Sequence, residues 1–485
     1  AYVIPGFFLI LLGGINGPFH NAMVSVLSKR TKEESSYVLA SVSSLISLIL
    51  FFITVNLIIF SDQIIYIIAP GLASNLHKIA VIQLQIMAPI AFLSGLIGLS
   101  FGALNANDEF FIPSISPIVS SLTIIIFVGL FWLNKSPLIH SIDLEIKGGM
   151  VLALATLTGA FLQWSCQLPY LVKKGLLKIR LKCDWKHPAV KEVLGIIAPA
   201  TLSSGMLQIN VFTDLFFASG ILGAAAGLSY ATFLVQAPLG LISNTLLIPL
   251  LPTFSRLKGE ENRKALIQRI HQGLMLSSAS MVALGVIFIA LATPIVALCY
   301  GRGAFQNDAI KLVAGLLIAY GIGMPAYLVR DLLVRVFYSL NDGKTPFKIS
   351  LIAILLNIFL DWALVGGPTP WGNQLPFNLG AIGLLIATFG VNLFSCTMLL
   401  LSLNNKLRYL PLKNWIFDIS KIMVLGLISY LIISLVDSSI DWPENVIGLI
   451  TEIILSATPG IFAFVFLGKL LGIKEINDIS NYLTK

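Results

Sequence analysis

Along this chain, apolar runs alternate with short polar stretches. Many of the runs are long enough to cross a hydrocarbon core of about 30 Å at about 1.5 Å per residue. A window of roughly 20 residues resolves about 13 spans, approximately at 2–27, 37–60, 79–104, 110–133, 148–172, 190–218, 222–252, 268–298, 311–340, 345–366, 379–403, 418–436 and 446–472. The longest must tilt, kink or protrude. The stretch Leu312 to Ser350 stands apart, because Arg330, Asp331 and Arg335 lie inside its apolar run. Pro325 interrupts it, and Asn341-Asp342-Gly343 with Pro346 predicts a tight turn into the next span. Charge inside a membrane helix is costly and marks a site facing the bundle interior. A second copy of this pattern lies earlier in the chain. Met87-Ala88-Pro89 and Leu104-Asn105 precede Met324-Pro325 and Leu340-Asn341 by one common interval, matched on the prolines. A duplicated bundle with charge at its centre reads as a transporter.

Composition sharpens the class. The 485 residues are 57 % hydrophobic and 11 % charged, with a mean hydropathy of +0.91. Soluble domains carry about 25 % charged residues, so this is an all-α polytopic membrane protein. The net charge of +8 sits in short loops between spans, a cytoplasmic-loop pattern and not a nucleic-acid groove. Cys166, Cys183, Cys299 and Cys396 have no paired spacing, which predicts neither a zinc site nor a disulfide framework.

The basic loops also set an orientation. They are Lys29/Arg30/Lys32, Lys173 through Lys186, Arg256 through Arg269, Lys344/Lys348 and Lys406/Arg408/Lys413. With the C-terminal tail, this alternate set holds roughly 21 basic residues against about 5 in the other set. The C-terminus is therefore expected in the cytoplasm and Ala1 on the outer side. A transporter with both ends inside needs one more helix before Ala1, so a first helix is expected to be missing. Ser25-Val26-Leu27-Ser28-Lys29 resembles Pro252-Thr253-Phe254-Ser255-Arg256, each leading from a span into a basic loop. The simplest division has parallel repeats: an N-terminal lobe at 1–180, a C-terminal lobe at 181–405, and two additional helices at 406–485.

Four stretches carry a resemblance: IPGFFLILLGGINGPFHNAMVSVLS, APLGLISNTLLIPLLPTFSRL, YGRGAFQNDAIKLVAGLLIAYGIG and RVFYSLNDGKTPFKIS. The chain resembles the MurJ (MviN) lipid II flippase family of the multidrug/oligosaccharidyl-lipid/polysaccharide exporter superfamily over essentially its whole length. The resemblance implies two pseudo-symmetric six-helix lobes around a central cavity and two C-terminal helices forming a lipid groove. The implied task is to carry undecaprenyl-pyrophosphate-linked disaccharide-pentapeptide from the inner to the outer leaflet of the bacterial inner membrane for peptidoglycan synthesis. Membrane lipids and the cell-wall synthesis machinery are the implied partners. Two departures are visible. Where many members have Y-A-x-R-L, this chain reads Tyr230-Ala231-Thr232-Phe233-Leu234, and Pro5 is followed by FFLILLGG in place of basic residues. A flippase for another polyprenyl-linked oligosaccharide, or a cation-coupled drug exporter of the same superfamily, is the alternative.

Three groups of residues are candidates for chemistry. Asp331 and Arg335 are four apart in the favourable acid-first order and are expected to pair. Arg330 points about 100° away from Asp331 and keeps its planar fork of donors for pyrophosphate. The alternative is that Arg335 snorkels to the cytoplasmic surface. Asn357 and Asp361 share one face of the helix 345–366, and Asp214 and Thr388 lie roughly 4–9 residues from the outer ends of their own helices, at similar depth. Two acids, an amide and a hydroxyl are the oxygen ligands a hard cation prefers. Buried carboxylates are costly unless protonated or cation-bound, so a Na⁺ or proton site is expected. In some members of the resembled family an Asp, an Asn-x-x-x-Asp pair and a Thr bind Na⁺, and these four residues match that pattern. The alternative is that Asp214 caps a helix end and Asp361 pairs with an arginine. On the first span, Asn16, His20 and Asn21 offer groups for sugar or phosphate oxygens, with interhelical hydrogen bonding as the plainer role. The run Gly13-Gly14…Gly17-Pro18 predicts a bendable helix or close packing.

Enzyme chemistry finds no support in the sequence, which has no phosphate loop, no HExxH and no GxSxG. No cofactor is expected beyond Na⁺ as a coupling ion. The outer-loop acids Asp62, Asp143, Glu145 and Asp308 are dispersed. A membrane transferase needs carboxylates clustered at one membrane face, and Asp214 with Asp361 is the one candidate pair.

Overall fold

The computed structural model of the chain describes residues 2–14, 17–133, 142–177, 186–257, 260–340, 342–366, 377–443 and 445–473. Among the described residues the regular elements are helices, and eleven are long and apolar enough to cross a membrane. The chain is a multi-pass membrane protein. Its helices leave large apolar side chains exposed, Ile118, Leu122, Ile125 and Ile126 among them. In water such a surface would be a liability, whereas in a bilayer it is the solvent-facing side. By packing, the chain divides into two units, Ala1–Phe212 and Thr213–Lys485.

The first unit holds α1 (Val3–Leu11), α2 (Pro18–Leu27), α3 (Lys32–Ile59), α4 (Ser61–Ile68), α5 (Ser74–Met87), α6 (Pro89–Asn105), α7 (Phe111–Leu133), α8 (Ile142–Ser165), α9 (Leu168–Lys173) and most of α10 (Pro188–Ala218). Thr31 starts α3 by accepting from the Glu34 amide at 3.4 Å, with Glu33 and Glu34 in the first turn where the helix dipole favours them. The span expected at 2–27 is two short helices. Gly17 is extended and Pro18 opens α2, which has no need of the amide that proline lacks. The end of α1 lies hard against α6: a Cβ at Gly98 would come within 1.9 Å of the Leu12 carbonyl oxygen, and one at Gly102 within 2.7 Å of the His20 oxygen. This Gly-x-x-x-Gly spacing lets backbone meet backbone where lipid offers no hydrophobic drive between helices.

The second unit holds the end of α10, then α11 (Ala224–Arg256), α12 (Arg263–Ala290), α13 (Ala292–Tyr300), α14 (Asn307–Ser339), α15 (Lys344–Leu364), α16 (Gly380–Lys406), α17 (Leu412–Ser438) and α18 (Val446–Leu470). α14 is its centre, packed against α11, α12 and α16, with Leu316, Leu328, Leu332 and Val336 fully buried. At one crossing Gly285 of α12 faces Gly321 of α14, and a Cβ on Gly285 would stand 2.5 Å from the Gly321 oxygen.

Similar ties follow α6 and α14. After α6, Lys174 reaches the Glu109 carboxylate at 3.5 Å and the Asn107 carbonyl at 3.2 Å. After α14, Lys406 at the end of α16 reaches Asp342 at 2.7 Å. Asp342 also accepts from the Thr345 amide at 3.1 Å and the Thr345 hydroxyl at 2.9 Å, which starts α15. The Lys406 ammonium and the two Thr345 donors hold the Asp342 carboxyl down from 3.8 to about 2. Its contribution to stability is therefore complete above about pH 4 and is lost as the pH falls towards about 2. Asp342→Ala should cost about 1 kcal/mol, mostly from the lost cap. The ion pair adds little because the Lys406 side chain is 37 % exposed. A small drop in melting temperature at neutral pH, vanishing near the folded-state pKa, checks this. An unchanged melting temperature at neutral pH would show that the tie does not hold the turn.

Candidate functional site

Within the second unit, the site grows out of the four-residue spacing on α15. One helical turn places Asn357 and Asp361 on the same face, 1 % and 0 % exposed. Asp214, near the end of α10, meets them. The Asn357 Nδ2 donates to Asp361 Oδ2 at 2.7 Å and to Asp214 Oδ1 at 3.2 Å. One amide nitrogen thus bridges both carboxyl groups and holds them side by side. Carboxylates that close repel one another unless a proton or a cation sits between them. Asn357 Oδ1 and Asp361 Oδ1 are buried and have no partner, so two oxygens stand ready for one. Among the described residues Asp361 pairs with no arginine, and Asp214 accepts from Asn357 within the cluster rather than merely ending a helix.

Thr388 sits on α16, the helix packed beside α15. Its hydroxyl donates to the Leu384 carbonyl at 3.0 Å, on its own helix. Among the described residues no group of three or more His, Cys, Asp or Glu could hold a metal. The all-oxygen donor set fits a hard cation or a proton, not a transition metal.

On α14, Arg335 and Asp331 form the expected pair, with Arg335 Nε and Nη2 each 3.2 Å from Asp331 Oδ2. Arg330 is half-buried and makes no hydrogen bond or ion pair among the described residues. A guanidinium left unpaired on a helix that carries its own acid one residue away is available to an outside anion. Phe233, in the position of the motif arginine, is 63 % exposed. Beside it the Thr232 hydroxyl is joined to the Tyr320 hydroxyl at 2.8 Å, tying α11 to α14.

His20 is buried and its ring nitrogens are engaged, Nε2 with the Asn105 amide at 2.8 Å and Nδ1 with Asn21 Oδ1 at 3.2 Å. It joins α2 to α6, while Asn21 is exposed. Asn16 lies outside the described residues. The ties from Lys174 and Lys406 were not read from the sequence, since nothing local links charges so far apart.

Many apolar helices with a buried acid pair and an unpaired arginine define a polytopic helical transporter. Among solved structures, one described as "Lipid II flippase MurJ, inward closed conformation" matches with a TM-score of 0.76, covering 96 % of this chain and 91 % of that one at 24 % identity. An inward-facing multidrug resistance MATE family transporter of the MOP superfamily matches with a TM-score of 0.65 at 15 % identity, over 84 % of this chain and 88 % of that one. A probable lipid II flippase MurJ of Synechocystis sp. is 48 % identical over 423 residues, 87 % of this chain and 77 % of that protein. The family model "Lipid II flippase MurJ" matches residues 1–448. The chain belongs to the lipid II flippase MurJ family, a family of lipid transporters and not of enzymes.

Proposed function

We propose that this chain flips lipid II, the polyprenyl-pyrophosphate-linked glycopeptide of peptidoglycan synthesis, from the inner to the outer leaflet of the bacterial inner membrane, with its C-terminus in the cytoplasm. The family match over residues 1–448 carries the reading, and the positive-inside loop pattern supports the orientation. Arg330 is assigned to the pyrophosphate, because its fork of donors is unspent. Asp214, Asn357 and Asp361 are assigned to a coupling cation, Na⁺ or a proton, with Thr388 as a further oxygen on the neighbouring helix. The bound cation cancels the repulsion between the acids and draws α10 to α15; on leaving, it lets them part. It favours one state of an alternating-access cycle only through this difference in affinity. The cell-wall synthesis machinery is the expected recipient on the outer side.

Complementation tests the substrate. Expressed as a full-length protein in bacteria depleted of their own lipid II flippase, this protein should restore growth and the arrival of lipid II at the outer leaflet. A well-expressed, membrane-inserted protein that fails to do so would shift the assignment to another polyprenyl-linked glycan or to a drug. Phe233 in the place of the motif arginine is the feature that makes this outcome worth testing.

A further inference from the structure

The last two helices hold a second pair of acids. Asp437, one residue from the end of α17, and Glu452, in the second turn of α18, face each other across the hairpin, in the register set by the Ser429–Gly460 hydrogen bond. One turn further along α18, Ser456 faces the Asp437 carboxyl. Ser456 is 0 % exposed, and its hydroxyl closes no well-aligned hydrogen bond. Asp437 Oδ1 is likewise buried without a partner. Among the described residues, no lysine, arginine or histidine pairs with either acid. The hairpin itself is built tightly. Ser429 of α17 donates to the Gly460 carbonyl of α18 at 2.8 Å, and Asn445 starts α18 by accepting from the Gly448 amide at 2.7 Å. The acids are therefore held together by a rigid frame, not by attraction for one another.

A shared proton would join one oxygen of each acid and would not itself reach Asp437 Oδ1 or the Ser456 hydroxyl, neither of which makes a well-aligned hydrogen bond. A cation would take all three groups. The donors are exclusively oxygen, which selects a hard cation, and two carboxylates match the charge of a divalent one. Ca²⁺ suits the position best, because its flexible coordination is readily completed by water at the hairpin end. We propose that Asp437, Glu452 and Ser456 form a site for a hard divalent cation of the Ca²⁺ type that clamps the turn-proximal ends of α17 and α18. The site is separate from Asp214, Asn357 and Asp361 and does not depend on what the protein transports.

Trp442 supplies a reporter, since its indole nitrogen donates to the Asp437 backbone carbonyl at 3.1 Å. With the purified, chelator-washed full-length protein, Tb³⁺ should give tryptophan-sensitised emission that saturates and is displaced by Ca²⁺. Trp442→Phe should silence that emission. The double variant Asp437→Asn/Glu452→Gln should lose affinity by about ten-fold or more, because ligand charge sets affinity at such sites. Ca²⁺ should also raise the melting temperature of the parent protein and not that of the double variant. The proposal is overturned by a folded parent without emission, or by emission unchanged in Trp442→Phe or in the double variant. It is equally overturned by a melting temperature that follows pH and ignores Ca²⁺, the behaviour of a shared proton. Should the double variant not fold, the parent alone decides: indifference of its melting temperature to both chelator and Ca²⁺ rejects the site.

Discussion

Asp361→Ala is expected to remove the cation dependence of transport and leave the helical bundle folded. The side chain is fully buried and contributes one of the two carboxyl groups that Asn357 bridges, so its loss halves the charge available to a cation. Affinity should fall by about ten-fold or more, since ligand charge dominates binding at oxygen sites. The structural cost is smaller. A hydrogen bond of 2.7 Å from Asn357 is lost, worth about 1–2 kcal/mol, but Asn357 keeps Asp214 as an acceptor at 3.2 Å, and the repulsion between the acids disappears with the group removed. Asp361→Asn keeps the shape and removes only the charge, so the two variants should agree in their cation response. Binding of radioactive Na⁺ and the Na⁺ dependence of flipping, with a melting curve beside them, are the measurements. Unaltered Na⁺ and pH dependence in both variants would discard the site.

Arg330→Ala should cut the flipping of pyrophosphate-linked substrates about 10- to 100-fold, the equivalent of one charge-assisted hydrogen bond of about 1.5–3 kcal/mol. Arg335→Ala should have the weaker effect on transport, because Arg335 is already committed to Asp331. Arg330→Lys keeps the charge but not the planar fork, and should fall between the parent and the alanine variant. A neutral lipid-linked analogue should be less sensitive than lipid II to all of these changes. If Arg335→Ala were inactive while Arg330→Ala flipped lipid II normally, the roles given to the two arginines would be exchanged.

Residues close in sequence were the most legible. Asn357 with Asp361, and Asp331 with Arg335, follow from the helical period, and both pairs are in contact. Helices stand at the predicted spans because a bilayer leaves the backbone few ways to satisfy its hydrogen bonds. The first span differs because window hydropathy is blind to helix breaks: Gly13, Gly14, Gly17 and Pro18 are apolar enough to sustain the average, yet the helix is interrupted between Leu11 and Pro18. Asp214 joining the α15 pair needed tertiary packing, and only the resemblance anticipated it. The Thr388 hydroxyl turns to its own helix, as serine and threonine often do within apolar helices. The sequence pattern does not single out Asp437 and Glu452, because Asp437 lies just past the predicted end of its span. An acid at position 452, inside an apolar run, was the signal that would have found them.

The contact of Gly285 with Gly321 has a mechanical meaning. Between most helices lies a layer of side chains whose rotamers can yield. At this one crossing α12 and α14 meet backbone to backbone, and close-packed protein compresses little. A push on either helix is passed to the other almost undamped, so the two behave as a single stiff beam. Any cycle that opens and closes this unit must carry that beam whole and find its bending elsewhere.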